Sequence, residues 1–169
     1  MDHPFNWYAV YTKPRNEKKL VSRLLEKGIE AYVPLRKTLK QWSDRKKFVE
    51  ETLITSYAFV KIRKEQYQDV LNTPGAVRYI WFSGKPAVIP DKQIEALKLI
   101  TGASVEIECV PDTIPKGSLV RISSGILKGF TGELVNFAGK HKVVLRVDHL
   151  DKIFLLTISQ SLLEPVVLA

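Results

Sequence analysis

The side chains of this sequence best equipped for intermolecular chemistry are cations and aromatic rings. Lys13, Arg15, Lys19 and Arg23 are followed by Arg36, Lys37, Lys40, Arg45, Lys46 and Lys47, and residues 13–47 hold 12 Lys/Arg against 4 Asp/Glu. That density of fixed positive charge is the footprint of a surface that meets phosphate, although a solvated lysine-rich face has the same composition. The second set lies in Ser56-Tyr57-Ala58-Phe59-Val60-Lys61-Ile62. Strict alternation sends Ala58, Val60 and Ile62 to one side of a strand and Tyr57, Phe59 and Lys61 to the other. The aliphatic side suits the domain's own core, and the aromatic side is expected to stay bare for a partner.

Residues for covalent or metal chemistry do not assemble in the same way. His141 and His149 are eight apart, Asp148 and Asp151 flank an expected turn, and no serine or cysteine sits in a nucleophile motif. There is no Gly-x-Gly-x-x-Gly stretch and no phosphate-cradling loop ending in Gly-Lys-Ser/Thr. The single cysteine, Cys109, has no partner for an intrachain disulfide and no zinc-ligand spacing around it. These features predict a binding protein with no enzymatic activity, no metal and no cofactor.

The 169 residues, 45% of them hydrophobic, suffice for one medium core or two small ones. No run of about 18 apolar residues is present to span a bilayer, and Met1-Asp2-His3-Pro4 lacks the pattern of a secretory signal, so no membrane partner and a cytoplasmic location are expected. The net charge of +8 is unevenly placed. Residues 1–100 hold 19 Lys/Arg against 11 Asp/Glu, whereas residues 101–169 hold 7 of each.

Elements that position these groups emerge from periodicity and breakers. Trp7 to Thr12 reads as a strand, and Pro14 to Gly28 as a helix with Leu20, Val21, Leu24 and Leu25 on its apolar face. Arg15, Lys19 and Arg23, four apart, would then form one cationic ridge, able to follow a phosphate backbone or simply to face water. Glu30 to Leu35 reads as a second strand, and residues 36–52 as a basic hairpin turning at Ser43-Asp44. In it Trp42 would stack on a base or brace the arms, and a lone ring in a ribbon favours bracing. The aromatic strand comes next, then a short helix over Lys64–Leu71, a strand over Val77–Phe82 and a turn at Ser83-Gly84-Lys85-Pro86. The order β-α-β-β-α-β predicts a ferredoxin-like sheet with helices on one face. A further helix after Pro90 carries Ile94, Leu97 and Ile100 and ends at Gly102. Residues 103–114 show no clear period and are expected to be a linker. Closely spaced strands over 115–166, punctuated by Gly125, Gly129 and Gly132, suit a small closed barrel. The fold class is thus α+β, with domains at 1–102 and 115–169.

Tyr57-Ala58-Phe59-Val60 resembles the aromatic motif of RNA-recognition-motif domains, which share that element order and stack bases on the open sheet. The whole chain resembles another group more closely. Trp7-Tyr8-Ala9-Val10-Tyr11-Thr12-Lys13, Ser56-Tyr57-Ala58-Phe59-Val60, Thr73-Pro74-Gly75-Ala76-Val77 and Lys85-Pro86-Ala87-Val88-Ile89-Pro90 are similar to the N-terminal NGN domain of the NusG family of transcription elongation factors. Lys116-Gly117-Ser118-Leu119-Val120-Arg121-Ile122 with Gly125-Ile126-Leu127-Lys128-Gly129-Phe130-Thr131-Gly132 is similar to its KOW domain, an SH3-like barrel. Thr55-Ser56 stands where the general factor has Pro-Gly. Lys13-Pro14-Arg15 with Gln41-Trp42-Ser43-Asp44-Arg45-Lys46-Lys47 is closer to the specialised UpxY and RfaH branches.

The resemblance implies a non-catalytic factor bound to the clamp helices of the largest RNA polymerase subunit through Tyr11, Ile54, Tyr57, Phe59 and Tyr79. It implies operon-specific antitermination, with the cations of residues 13–47 contacting DNA or nascent RNA. It also implies that Ile126, Leu127 and Phe130 meet a small-subunit ribosomal protein or Rho. Phe130, between glycines, suits either an exposed contact or barrel filling. A ribosome-associated RNA binder is the further alternative, because KOW units occur in ribosomal proteins.

Overall fold

A computed structural model describes residues 3–103 and 105–167. The chain divides into two compact units, Met1–Asp91 and Lys92–Ala169. The first begins with β1 (Asn6–Thr12), α1 (Glu17–Glu26), β2 (Glu30–Tyr32), β3 (Leu35–Gln41), β4 (Lys46–Thr52) and β5 (Tyr57–Ile62). It continues with α2 (Tyr67–Leu71), β6 (Ala76–Tyr79), β7 (Trp81–Phe82), β8 (Lys85–Pro86) and β9 (Val88–Ile89). Strand order β2-β5-β1-β6 is antiparallel throughout, with β9 beside the start of β1. This is the order a ferredoxin-like β-α-β-β-α-β chain requires when two split units interleave.

Register decides what each face of the sheet carries. Tyr8 lies opposite Val60 and Val10 opposite Ala58, whereas Ala9 opposes Phe59 and Tyr11 opposes Tyr57. The first pairs join Leu20 and Leu24 of α1 and Val70 of α2 in one buried cluster. The helix is shorter than its sequence pattern suggests. Arg15 has a positive φ of 62°, so the chain turns before Glu17 and the helix begins there. It closes at Gly28, φ 77°, whose N–H donates to the Leu25 carbonyl while that of Ile29 reaches Leu24. Leu25, expected on the apolar face, is 55% exposed. The strand expected over 77–82 is interrupted, because Ile80 donates to the Ala9 carbonyl and Trp81 starts the β7–β8 hairpin instead. Strands β3 and β4 pair only with each other among the described residues.

The second unit holds α3 (Asp91–Gly102), β10 (Glu106–Pro111), β11 (Ser118–Ile122), β12 (Thr131–Phe137), β13 (Lys140–Arg146), β14 (Lys152–Thr157) and β15 (Leu163–Pro165). The division falls just after Asp91, the first residue of this helix. Within the second unit Gln93 ties the helix to Asp148: its amide donates to Asp148 Oδ1 at 3.0 Å and its carbonyl oxygen accepts from the Asp148 N–H at 2.7 Å. The antiparallel sheet runs β10-β14-β13-β12-β11-β15, and its two end strands do not pair, so the strand ladder is open where a closed barrel is expected.

The linker expected over 103–114 is another difference, since β10 forms a six-residue ladder with β14. Glu106 and Glu108 share a side of this edge strand, Ile107 is buried on the other, and Lys142 Nζ lies 3.8 Å from Glu108 Oε1. Carboxylates on an edge, together with Pro111 and Asp112, disguise the two-residue period. Ser104 of that stretch lies outside the described residues. Arg146 secures the segment between β10 and β11, donating to Glu133 Oε2 at 2.8 Å, Asp112 Oδ1 at 2.5 Å and the Ile114 carbonyl at 2.7 Å.

Close backbone approach makes Gly117 obligatory: a Cβ there would sit 1.9 Å from the Leu134 carbonyl oxygen. The Gly117 N–H also donates to Glu133 Oε1 at 3.0 Å. Gly117→Ala is expected to lower the stability of the second unit by about 2–3 kcal/mol through overpacking, read as a lower urea midpoint with an unchanged slope.

Candidate docking and nucleic-acid surfaces

The aromatic side of the sheet is built where β1 and β5 pair. Tyr11 and Tyr57 rings meet with centroids 4.9 Å apart, and Phe59 stacks against Tyr32 of β2 at 6.3 Å. The Arg78 guanidinium carbon lies 4.9 Å from the centre of the Tyr11 ring, a cation–π contact across the β1–β6 pair. Both helices of this unit that join the buried cluster lie on the opposite side of the sheet.

The launch of β5 depends on a buried carboxylate. Glu17, 5% exposed, accepts from the Ser56 N–H at 2.7 Å, and Ser56 occupies left-handed backbone at φ 64°. The Ser56 carbonyl in turn accepts from the Thr12 N–H. A non-glycine residue thus holds a turn that its side chain alone would disfavour, because a helix residue pins its amide.

Two expectations about the aromatic face need correction. The rings are not bare: Tyr57 is 3% and Phe59 0% exposed, Ile54 is buried, and only Tyr11 is partly accessible. The alternation identifies sides of the sheet correctly, but exposure depends on cover that periodicity does not encode. Base stacking on Tyr57 and Phe59, which the RNA-recognition-motif reading needs, has no open ring face here. Tyr79, grouped with these residues by resemblance, lies on the other side. Its position opposite Val10 puts it in the helix-side cluster, edge-on to Tyr8 at 6.0 Å, with its hydroxyl donating to the Tyr67 carbonyl at 2.8 Å.

The cations divide into groups with different local roles. Lys13, Arg15 and Lys19 are exposed. Arg15 precedes the helix, so the ridge of three cations four residues apart does not form. Arg23 donates to the Pro74 carbonyl at 2.8 Å and braces the loop before β6, as Lys27 does through Thr73 Oγ1 at 2.9 Å. Instead, Arg15, Lys18, Lys19 and Arg36 line one recess at the root of the hairpin, beside Glu51. Lys18 is absent from the sequence-based set because it lies off the four-residue spacing; its ammonium donates to the Glu50 carbonyl.

On the hairpin, Lys40 Nζ contacts Glu51 Oε1 at 2.5 Å and Arg36 lies 4.0 Å from Oε2. The hydrogen bond from Lys40 is the main influence holding the Glu51 carboxyl below its ordinary range. Lys37, Arg45, Lys46 and Lys47 are exposed, and among the described residues none forms an ion pair. Trp42 has the Arg45 guanidinium 5.8 Å from its ring centre, so one face is already occupied, as the bracing reading expects.

In the second unit, Ile126 is 71% exposed at the tip of the Gly125–Phe130 turn, while Leu127 and Phe130 are buried at 2% and 8%. Phe130 is therefore interior filling, the second of its two sequence-level readings. The turn positions it by bonds from the Phe130 N–H to the Leu127 carbonyl and from the Ile122 N–H to the Phe130 carbonyl.

No helix among the described residues is long and apolar enough to cross a membrane, and no group of three His, Cys, Asp or Glu there is placed to hold a metal. The first unit is thus an interleaved α+β sheet with a cationic hairpin and a paired aromatic strand. The family model described as transcription termination factor nusG matches residues 5–98, more than half of the 169. The chain belongs to the NusG family of transcription factors. In overall fold it is similar to the solved structure entitled "Domain interaction in Thermotoga maritima NusG", at 20% identity and TM-score 0.57, over 96% of this chain and 97% of that one. The structure entitled "Crystal Structure of MjSpt4:Spt5 complex conformation A" shares 18% identity over 95% and 97% of the two chains, but at TM-score 0.32 it supports no argument. No curated protein matches.

Burial, and secondarily Tyr67, raise the pKa of the Tyr79 hydroxyl above its ordinary value. Its proton therefore contributes stability in full below the unfolded tyrosine value of about 10, and the contribution falls away as pH climbs beyond that. Tyr79→Phe is expected to cost about 1 kcal/mol at neutral pH through the lost hydrogen bond. It should also flatten the alkaline decline of the urea midpoint, and a decline as steep as in the unaltered protein would count against this origin.

Proposed function

We propose that the chain is a specialised NusG-type elongation factor of the UpxY or RfaH kind, a processive, operon-specific antiterminator that binds the clamp helices of RNA polymerase. The observation that carries the reading is the β1–β5 pairing, which gathers Tyr11, Tyr57 and Phe59 on the side of the sheet turned away from α1 and α2, with Ile54 buried in the segment just before β5. Aromatic anchors of this kind dominate protein interfaces. Because Tyr57 and Phe59 are covered, docking requires that the chain first release that cover, and Tyr11 is the ring a partner meets first. Tyr79 has no part in the contact.

Recruitment runs through exposed cations. Lys13, Arg15, Lys19, Lys37, Arg45, Lys46 and Lys47 remain available for DNA or nascent RNA, with Lys18 added to the set. Arg36 and Lys40 face Glu51 and contribute less. The second unit acts as a KOW domain, and Ile126 is the side chain through which it meets a small-subunit ribosomal protein or Rho. Family membership and the exposed tip support this part.

Phe59→Ala would open a cavity costing about 3–5 kcal/mol, so loss of binding by that variant would not separate docking from folding. Tyr11→Ala is the cleaner probe. It is expected to reduce capture of purified RNA polymerase about tenfold, an interface effect of about 1.4 kcal/mol, with a melting curve close to that of the unaltered protein. Undiminished capture would reject the clamp-helix assignment. Replacing Arg45, Lys46 and Lys47 together by Ala should weaken binding to transcription-complex nucleic acid and reduce the slope of log affinity against log salt by roughly 2–3. An unchanged slope would return those charges to a solvated surface.

A further inference from the structure

Phe48 is 68% exposed within β4, a position where a large ring in a two-stranded ribbon ordinarily packs on its cross-strand neighbour. That neighbour, Leu39, is itself 52% exposed. Two-residue alternation places Lys37, Leu39 and Gln41 on the same side as Lys46, Phe48 and Glu50. Lys37, Phe48, Val49 and Glu50 line a shallow recess there. Glu51, with Arg36 and Lys40 engaged on it, belongs to the other side of the ribbon. Lys37 and Lys46 thus flank the ring with no ion pair among the described residues, although Glu50 stands across from Lys37.

The two exposed rings of the hairpin differ in what covers them. Trp42 has a guanidinium over its face, whereas no ring or cation contact among the described residues falls on Phe48. An apolar patch meant for a protein partner would be poorly served by this ribbon, where Arg36, Lys37, Lys40, Arg45, Lys46 and Lys47 outnumber Asp44, Glu50 and Glu51. An open ring flanked by cations matches the two halves of an unpaired nucleotide, a π-face and a phosphate.

Building on the nucleic-acid reading above, we infer that Phe48 is a stacking platform for an unpaired base of single-stranded nucleic acid, with Lys37 and Lys46 meeting the adjoining phosphates. Such a contact tolerates any base and reaches none in an intact duplex. The hairpin therefore reads strand opening, with sequence preference arising elsewhere.

The test uses the full-length protein and short single strands carrying a fluorescent adenine analogue, in DNA and RNA versions, beside the same sequence as a duplex. Stacking should quench the analogue in the single strands. Phe48→Ala is expected to abolish the quenching and weaken single-strand binding on the order of tenfold, leaving duplex binding and the salt slope unchanged. Phe48→Trp should restore both. The DNA and RNA arms decide which strand is the better ligand. If Phe48→Ala binds and quenches like the unaltered protein while the hairpin-cation variant loses affinity, stacking is wrong and the phosphate contacts stand. If the unaltered protein binds no nucleic acid even at low salt, both fall. Because Phe48 is mostly exposed, circular dichroism should show an unchanged fold.

Discussion

The antiparallel pairing of β1 with β5 is the constraint on which the rest of the first unit depends. Six consecutive cross-strand pairs, from Asn6 with Ile62 to Tyr11 with Tyr57, fix which side of the sheet every side chain in both strands occupies. A slip of one residue would exchange Tyr8, Val10, Ala58 and Val60 with the aromatic set and leave Leu20, Leu24 and Val70 nothing to pack on. The register is held at one end by the Ser56 turn, where Glu17 of α1 accepts the backbone amide. Helix placement and strand register are thus specified together, and the same clamp places the root of the basic hairpin beside the cations before and within α1.

The proposed function rests on the same division. One side of the sheet is committed to folding by its helices and by a tyrosine cluster in which Tyr8, Tyr67 and Tyr79 exchange ring and hydroxyl contacts. The other side carries rings that are buried as the chain stands, and in the proposed docking a partner uses them only in exchange for existing cover. That exchange makes binding weaker than the rings alone would give, because uncovering them is part of the binding equilibrium. It also makes the proposed binding conditional on that exchange.

Much of this was legible in the residues. Alternation in Tyr57–Ile62 gave the two sides of β5, the order of elements gave the ferredoxin-like topology, and Ser43-Asp44 between basic arms gave the hairpin. Exposure was not legible, because Phe59 at 0% and Phe48 at 68% are both aromatic residues in strands, and only their surroundings in three dimensions distinguish them. Tyr79 was misplaced, and the choice between the two readings of Phe130 was not legible, for a related reason: a motif match carries position along the chain, but the side a ring takes is decided by its cross-strand partner or by a tight turn nearby. The β10 strand was hidden by edge-strand carboxylates, and the Gln93–Asp148 hydrogen bonds of α3 join residues 55 apart in a pairing that no local pattern announces.

In the proposed docking, the side of the sheet bearing Tyr11 and Tyr57 exchanges its present cover for polymerase, while the Tyr79 side stays closed. Fluorine NMR on protein with fluorotyrosine at its six tyrosines tests it, during titration with the isolated clamp coiled coil. The Tyr11 and Tyr57 resonances should move with saturation while those of Tyr8, Tyr67 and Tyr79 hold their positions. Binding that shifts the Tyr8, Tyr67 and Tyr79 group and leaves Tyr11 and Tyr57 in place would contradict it.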